Sequence, residues 1–425
     1  MSAGPPSSSF CVLPWMHVFA DEAGTMWPCC RAIGSGLPNR DDRSDDPRTI
    51  HDAAGPTAGL DTKTMRDIRR AMLAGERPPV CERCYMVEDL GMRSHHQVEN
   101  ATWAAELPAL VAATRRDGGL TADIRTADLR LGNLCNLRCR MCSPQSSRAL
   151  IPEWAERFGI PSDHRHFAGY RAMDWFEDAA FWRLLEQDAP RLGRINFAGG
   201  EPLLIAGMAD FLERMAASGR AAAMTISYNT NLTVLPDRVL ALWPAFAAIR
   251  VTVSLDALGP LNDFIRHPSR WEVIDAHLRR LDRDSVPLNL AGGLATNTAV
   301  EVYNVFGLGD LLDYLARTLT RFEVPNLSIV THPEHLSVRI LPPALKALAT
   351  ERLRAAISRS SALWRDRWGE AGGELIAAVE GVITYMNGED RQDLLPQFLD
   401  WTRHQDRYRN QATEAAVVEL APLFQ

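Results

Sequence analysis

The chain reads as an α/β protein built on a parallel sheet and followed by a helical C-terminal segment. Three observations carry this reading. Short apolar runs that end in polar residues recur with helix-length spacers between them, the βαβ pattern of a parallel sheet. An alternation of apolar and polar residues over Ala127–Gly132 predicts a strand that delivers a cysteine-rich loop at its C-terminal end. After Pro342-Pro343 the composition turns to Ala, Leu, Arg and Glu with helical periodicity, in Leu345, Leu348 and Leu353 and again in Leu375, Val379 and Val382.

The remaining strands follow in order. Arg194–Pro202 is a short strand running into Gly199-Gly200, far enough beyond the cysteine loop to leave room for a crossover helix. Met224–Tyr228 leads to Asn229-Thr230-Asn231, and Ile249–Val253 leads to Ser254-Leu255-Asp256-Ala257. Leu288–Leu294 leads to Thr296-Asn297, and Leu327–Val330 leads to Thr331-His332-Pro333. Parallel strands point the same way, so these polar ends gather on one rim, where a ligand crevice is expected. Tyr228 and Asn297 either face that cavity or serve as packing and turn groups. Upstream, Asp21-Glu22-Ala23-Gly24 predicts a hairpin turn whose return strand brings Cys29 back beside Cys11. Residues 35–58, rich in Asp, Gly, Pro, Ser and Arg, predict a loop, and a helix follows from Lys63 to Leu73. The first nine residues lack the basic and apolar regions of a signal peptide and read as a frayed end.

The chemistry is concentrated in the cysteines. Cys135, Cys139 and Cys142 form CxxxCxxC, which supplies three thiolates and omits a fourth. Cubane iron–sulfur clusters are normally held by four cysteines, so three would leave one iron open to a non-protein ligand. The alternative is a zinc knuckle, which needs a fourth ligand nearby; Ser143 to Ser147 offer none, and His164 and His166 are distant in sequence.

This spacing resembles the radical S-adenosylmethionine (radical SAM) family, and Gly199-Gly200-Glu201-Pro202 is similar to that family's GGEP motif. By itself such a turn is ordinary; behind the cysteine strand it strengthens the resemblance. The resemblance implies a partial (β/α)6 barrel, like a TIM barrel with strands missing. It implies a [4Fe–4S] cluster on Cys135, Cys139 and Cys142, whose open iron binds SAM, and reductive cleavage of SAM to a 5′-deoxyadenosyl radical. Gly199, Gly200, Glu201 and Pro202 would hold the SAM amino group; glycines suit this because no Cβ blocks the backbone. Ser254 and Asp256 would contact the ribose and Arg266 would pair with the SAM carboxylate, while a solvated helix charge is the alternative for Arg266. Asn229 and Asn231 are either SAM contacts or turn formers. Met141 stands where many relatives carry an aromatic residue, and a methionine can fill the same apolar contact under an adenine.

Five cysteines remain: Cys11, Cys29, Cys30, Cys81 and Cys84. The hairpin and the Cys81-Glu82-Arg83-Cys84 pair would assemble a four-thiolate site from Cys11, Cys29, Cys81 and Cys84. A four-cysteine zinc ribbon is one reading. The other comes from a resemblance to the auxiliary-cluster region of SPASM and twitch radical SAM proteins, carried by Pro14-Trp15, Gly24 with Cys29, Cys29-Cys30, the CxxC, then Glu88, Gly91 and Ser94, and by Tyr228-Asn229-Thr230-Asn231. That resemblance implies an auxiliary [4Fe–4S] cluster, placed before the barrel although most relatives place it after. The Gly24 spacing selects Cys29 over Cys30. His95 and His96 are expected to face solvent.

With 425 residues, 46% hydrophobic and 23% charged, the chain is globular and large enough for a barrel with two small appendages. The expected division is residues 1–120 for the twitch-like cluster region, 121–345 for the barrel and 346–425 for the helical segment. A net charge of −7 weighs against a nucleic-acid polymer as substrate. The Arg115-Arg116 and Arg279-Arg280 pairs and the Arg403–Arg409 cluster read as solvated helix faces. Nothing in the sequence suggests a membrane, and clustered cysteines in a chain of this size suit a reducing compartment, so the cytoplasm is expected. The reading is a radical SAM enzyme that abstracts a hydrogen atom from an unidentified peptide, sugar or small metabolite, with an electron donor such as flavodoxin or ferredoxin. The alternatives are a nucleotide- or hypermodified-base-modifying radical SAM enzyme and a non-catalytic zinc-binding interaction protein. No catalytic acid or base is legible.

Overall fold

The structure is a computed structural model that describes residues 5–33, 35–40, 47–51, 55–89, 93–121 and 123–425. The remainder of the 35–58 loop, Gly91 and the first four residues lie outside the described residues. Two compact units divide the chain: residues 1–133 with 169–226, and residues 134–168 with 227–425.

The first unit contains β1 (His17–Ala20), β2 (Met26–Trp27), β3 (Thr126–Leu131) and β4 (Arg194–Gly199) in the order β2-β1-β3-β4. The expected hairpin is present: Phe19 pairs with Trp27 antiparallel. Asp21 closes its turn, accepting from the backbone of Ala23 at 3.0 Å and Thr25 at 2.9 Å and from the Trp27 indole at 2.8 Å, while Gly24 takes the left-handed conformation (φ +79°) that glycine adopts at no steric cost. Sequence patterning did not show that β1 also lies parallel on β3, with His17 opposite Thr126. The two-residue β2 occupies the edge, and β4 runs parallel on the far side of β3 with Arg194 opposite Thr126. The hairpin that carries Cys11 and Cys29 is thereby part of the sheet rather than a separate appendage.

The predicted Lys63–Leu73 helix is observed with those bounds, capped by Thr62, whose hydroxyl accepts from the Met65 amide at 3.3 Å. The crossover between β3 and β4 ends in helix Ala179–Asp188, which buries Phe181, Trp182 and Leu185; helix Ala206–Ala217 follows β4 and packs Phe211 against Trp182 at a ring separation of 5.4 Å. The chain passes to the second unit within β5 (Thr225–Thr230).

The second unit contains β6 (Ala248–Ser254), β7 (Gly293–Val300) and β8 (Asn326–Ile329), all parallel. The β7 strand begins at Gly293 rather than Leu288 because Asn289 adopts the left-handed conformation (φ +54°) and Leu290–Gly292 form a 3-10 turn. Thr296 and Asn297 consequently lie inside the strand, where the Asn297 carbonyl accepts from Asn326 at 2.5 Å and Ser328 at 3.0 Å. Tyr228 is a packing group, buried and accepting from the Trp243 indole at 3.3 Å.

The C-terminal segment is helical, as expected: Pro343–Trp368, Glu370–Met386 and Leu395–Arg409. Leu353, Trp364, Val379 and Phe398 share one apolar cluster with Val300 and Val330 from the strand ends, so these helices complete the core of the second unit. Gly372 permits the tight turn between the first two of them, because a Cβ there would sit 2.2 Å from the Trp364 carbonyl. No helix among the described residues is long and apolar enough to cross a membrane.

His17, buried on β1 with Nδ1 2.6 Å from the Thr126 hydroxyl, has its pKa lowered to about 3 by burial and by Arg194. Its folded pKa lies below the unfolded value of about 6.5, so the unfolded chain binds this proton first. Stability should therefore be full above pH 6.5 and decline as pH falls toward 3. Urea unfolding between pH 7 and 4 should give a shallower slope for His17→Gln than for wild type; equal slopes would contradict the assignment.

Candidate active site

In the first unit, Cys11 is buried immediately before the turn of helix Leu13–Met16, Cys29 follows β2, and Cys81 and Cys84 begin helix Glu82–Asp89. Spacing of i and i+3 puts Cys81 and Cys84 on one helical face. Burial raises the Cys11 thiol well above its ordinary pKa, with Cys29, Cys81 and Cys84 adding to the shift. Burial likewise raises Cys29, with Cys30, Cys81 and Cys84 contributing, and Cys81, to about 12, with Cys84 contributing. Cys30 is raised to about 11 by burial and by Asp128, and its own charge is among those that raise Cys29. Cys11, Cys29 and Cys81 thus lie among thiols that disfavour their ionisation, a conflict that a bound cation relieves.

Two residues that the sequence reading did not single out position this site. Asn100 brackets Cys11: its carbonyl accepts from the Val12 amide at 2.9 Å and its amide donates to the Phe10 carbonyl at 2.6 Å. Arg69, fully buried, donates to the carbonyls of Pro14 at 2.8 Å, Leu60 at 2.7 Å and Gly118 at 2.6 Å. His96 is buried rather than solvent-facing, with Nδ1 3.1 Å from Glu88, on a helix capped by Ser94.

The glycine pair ends β4. Gly199 has φ +110°, and a Cβ there would meet the Leu131 amide at 2.7 Å and the Gly132 carbonyl at 2.8 Å. The Gly200 amide donates to Gly132 at 3.0 Å, so the turn after β4 lies directly against the turn after β3. Glu201 is buried and caps the following 3-10 turn, accepting from the Leu203 amide at 3.1 Å; Pro202 occupies the first position of that turn.

In the second unit, Cys135, Cys139 and Cys142 share one loop and none is in a disulfide. Two N–H groups point at Cys135 Sγ: the Leu137 amide at 3.4 Å and the Asn231 side chain at 3.6 Å. Arg266 Nη1 reaches Cys139 Sγ at 3.9 Å. The Cys139 and Cys142 thiols interact so that Cys139 is lowered and Cys142 raised from the ordinary thiol range. The loop backbone pairs with the segment bearing Arg266: the Arg138 amide donates to His267 at 2.6 Å and the Arg140 amide to Ile265 at 2.9 Å.

Arg266 is a largely enclosed cation, its side chain 11% exposed, rather than a solvated helix charge. Burial alone would lower its pKa, but Asp256 and Cys139 outweigh this and the net shift is upward. Its Nε lies 2.7 Å from Asp256 Oδ2, yet neither atom has a partner at hydrogen-bonding angles. Asp256 is held at its other oxygen, which accepts from the Ala299 amide at 2.8 Å. Ser254, at the end of β6, is half-buried opposite Asn297. Asn231 also donates to Asn136 at 3.1 Å and accepts from the Thr233 amide at 2.9 Å, whereas Asn229 is exposed on β5. Met141 packs on the apolar cluster beneath the loop.

Glu301, one residue beyond β7, was not visible in sequence. It is fully buried, neither carboxyl oxygen has a hydrogen-bond partner, and burial followed by the Asp256 charge raises its pKa well above the ordinary carboxylate range. These surroundings favour the protonated form of Glu301.

No three His, Cys, Asp or Glu side chains among the described residues converge closely enough to hold a single metal ion. The donor set of the loop does fit a cluster: three thiols outside any disulfide and N–H groups aimed at two of the sulfurs, with the Arg266–Asp256 ion pair beside Cys139. A parallel α/β domain with a three-cysteine loop after one strand and a close-packed glycine turn after the next defines the class. Residues 129–294 match the Radical SAM superfamily, and this part of the chain is a radical SAM domain. That family implies a [4Fe–4S] cluster and SAM.

GTP 3′,8-cyclase of Streptomyces coelicolor is 31% identical over 145 residues, 34% of this chain and 35% of that protein; the chain thus matches about a third of that relative's length. Among solved structures, Streptococcus suis SuiB bound to precursor peptide SuiA is 12% identical, with 66% of this chain and 60% of that one covered at a TM-score of 0.36. Native anSMEcpe with bound AdoMet and Cp18Cys peptide is 13% identical, with 54% and 58% covered at a TM-score of 0.35.

Breaking a buried ion pair from one side leaves an uncompensated charge, at a cost of about 3–5 kcal/mol. Asp256→Asn should destabilise the chain by that order in denaturant unfolding, and the double variant Asp256→Asn with Arg266→Gln should recover part of the loss. A double variant showing the plain sum of the two single losses would contradict coupling between them.

Proposed function

We propose that the chain is a radical SAM enzyme in which Cys135, Cys139 and Cys142 hold a [4Fe–4S] cluster whose open iron binds SAM. The observation that carries this reading is the three-thiol loop, with N–H donors on two sulfurs, inside a segment that matches the Radical SAM superfamily. When bound, the cluster supplies one electron that cleaves SAM to a 5′-deoxyadenosyl radical, which abstracts a hydrogen atom from the substrate. Asn231 and the Leu137 amide orient Cys135, and Arg266 stabilises the Cys139 thiolate. Arg266 would pair with the carboxylate of SAM, and Asp256 would contact the ribose. Gly199 to Pro202 would present backbone groups to the SAM amino group, with Ser254 at the ribose and Met141 under the adenine. An external one-electron donor of the flavodoxin or ferredoxin type completes the cycle, in the cytoplasm.

We assign the N-terminal region, residues 1–120, to an auxiliary [4Fe–4S] cluster on Cys11, Cys29, Cys81 and Cys84. The elevation of Cys11, Cys29 and Cys81 by neighbouring thiols supports the ligand set, and the Gly24 spacing supports Cys29 over Cys30. Residues 121–345 would form the catalytic barrel and 346–425 the helical segment. An auxiliary cluster suits an oxidation or cross-link of a peptide or small metabolite, since it can accept an electron after abstraction. The similarity to GTP 3′,8-cyclase favours a second reading, in which the substrate is a nucleotide.

Replacing Cys135, Cys139 and Cys142 together by Ala should abolish 5′-deoxyadenosine formation from SAM in the anaerobically reconstituted protein; formation that persists would sink the assignment. Analysis of the wild type should find about eight irons with matching sulfide and no zinc. Cys29→Ala should lower iron to about four while Cys30→Ala leaves it unchanged; the reverse would move the ligand to Cys30, and zinc in place of the second four irons would make that site structural.

A further inference from the structure

The helix Leu395–Arg409 lies beyond the segment that matches the Radical SAM superfamily, yet two of its buried charges bind the cysteine loop and the helix that follows it. Arg140, between Cys139 and Met141, is fully buried. Its Nη2 donates to Asp406 and, at 2.9 Å, to Gln411, and its Nε donates to the Phe264 carbonyl at 3.3 Å. The guanidinium lies over the Phe264 ring, 3.6 Å from its centre. Asp406 is itself held, its second oxygen accepting from the Thr413 amide at 2.9 Å and hydroxyl at 2.7 Å. One turn along, Arg409 makes a two-pronged pair with the fully buried Glu153, at 2.8 and 2.9 Å. Glu153 belongs to helix Ile151–Phe158, immediately downstream of the loop, and its carbonyl lies 3.0 Å from His404 Nε2. Arg409 was expected on a solvated face; it is buried because the partner charge is buried with it.

We infer that the C-terminal helix is a positioning element for the cysteine loop: Asp406, through Arg140, fixes the backbone that presents Cys139 and Cys142. A loop of eight residues carrying three metal ligands has no regular hydrogen-bond ladder of its own, so beyond the Arg138 and Arg140 amide bonds its conformation is set by what holds its side chains. Arg140 meets the loop's far wall at Phe264 and the C-terminal helix at Asp406 simultaneously. The Arg–carboxylate geometry is directional as well as attractive, which suits a role in orientation. This inference takes from the proposed function that Cys139 and Cys142 are cluster ligands, but the loop order it describes can be read without the cluster.

The test uses the full chain, first free of metal, with alkylation of each cysteine by iodoacetamide followed by mass spectrometry and the thermal midpoint measured in parallel. Asp406→Asn should raise the rates at Cys139 and Cys142 about tenfold, and Thr413→Ala, which removes only the support of Asp406, should give a smaller rise. Asp400→Asn, which removes an exposed pair with Arg157 on the same helix, should leave the rates at the wild-type level. Leu353→Ala controls for general loss of stability: it should lower the thermal midpoint without changing the alkylation pattern. Wild-type rates in Asp406→Asn, or equal acceleration by Leu353→Ala, would overturn the inference. In reconstituted protein, Asp406→Asn should also release iron to a chelator faster from the three-cysteine site. An altered alkylation pattern in a chain that binds no iron would uphold the positioning role while rejecting the cluster reading.

Discussion

A guanidinium buried against a thiol loop is the constraint on which the second unit depends. Arg266 reaches Cys139, and Asp256 holds Arg266. A cation in that position cannot be left alone in the interior, and replacing it with an apolar side chain would remove the charge that favours a thiolate at Cys139. The fold therefore supplies a carboxylate at the end of β6, and fixes that carboxylate from β7 through the Ala299 amide. A buried pair of this kind is weak evidence for stability, since desolvation offsets much of the attraction. Its more direct consequence is that a guanidinium charge is held beside Cys139.

The same logic extends outward from the loop. Arg140 and Glu153 are buried charges on either side of Cys142, and each is matched by a charge from the C-terminal helix. Phe398 of that helix packs in the apolar cluster of the second unit with Trp364 and Val379. In the first unit the corresponding work is done by Asn100, which brackets Cys11, and by Arg69, which gathers three carbonyls around the Pro14 segment.

Much of this arrangement was legible in the sequence, and the parts that were not share a cause. The β3 and β6 strands, the Lys63–Leu73 helix and the cysteine loop announce themselves through local patterns of period two, period 3.6 and ligand spacing. The start of β7 was misplaced because an apolar run reads as strand whether or not one residue, here Asn289, turns left-handed within it. The pairing of β1 with β3 joins residues more than a hundred positions apart, and no local signal encodes it. Asn100, Arg69, Arg140, Glu301 and Arg409 act through tertiary neighbours, so their sequence surroundings resemble those of surface residues. A buried charge becomes visible only once its partner is in place. For Arg409, the solvated-face expectation failed for that reason.

The most direct test of the central claim is electron paramagnetic resonance of the anaerobically reconstituted, reduced protein, recorded without and with SAM. A cluster held by Cys135, Cys139 and Cys142 with one open iron should give a reduced-cluster signal whose shape changes on adding SAM, because SAM ligates the metal directly. That change should vanish when the three cysteines are replaced by Ala. A signal unaltered by SAM would mean that every iron is already fully ligated by protein, and the absence of any iron–sulfur signal would contradict the account outright.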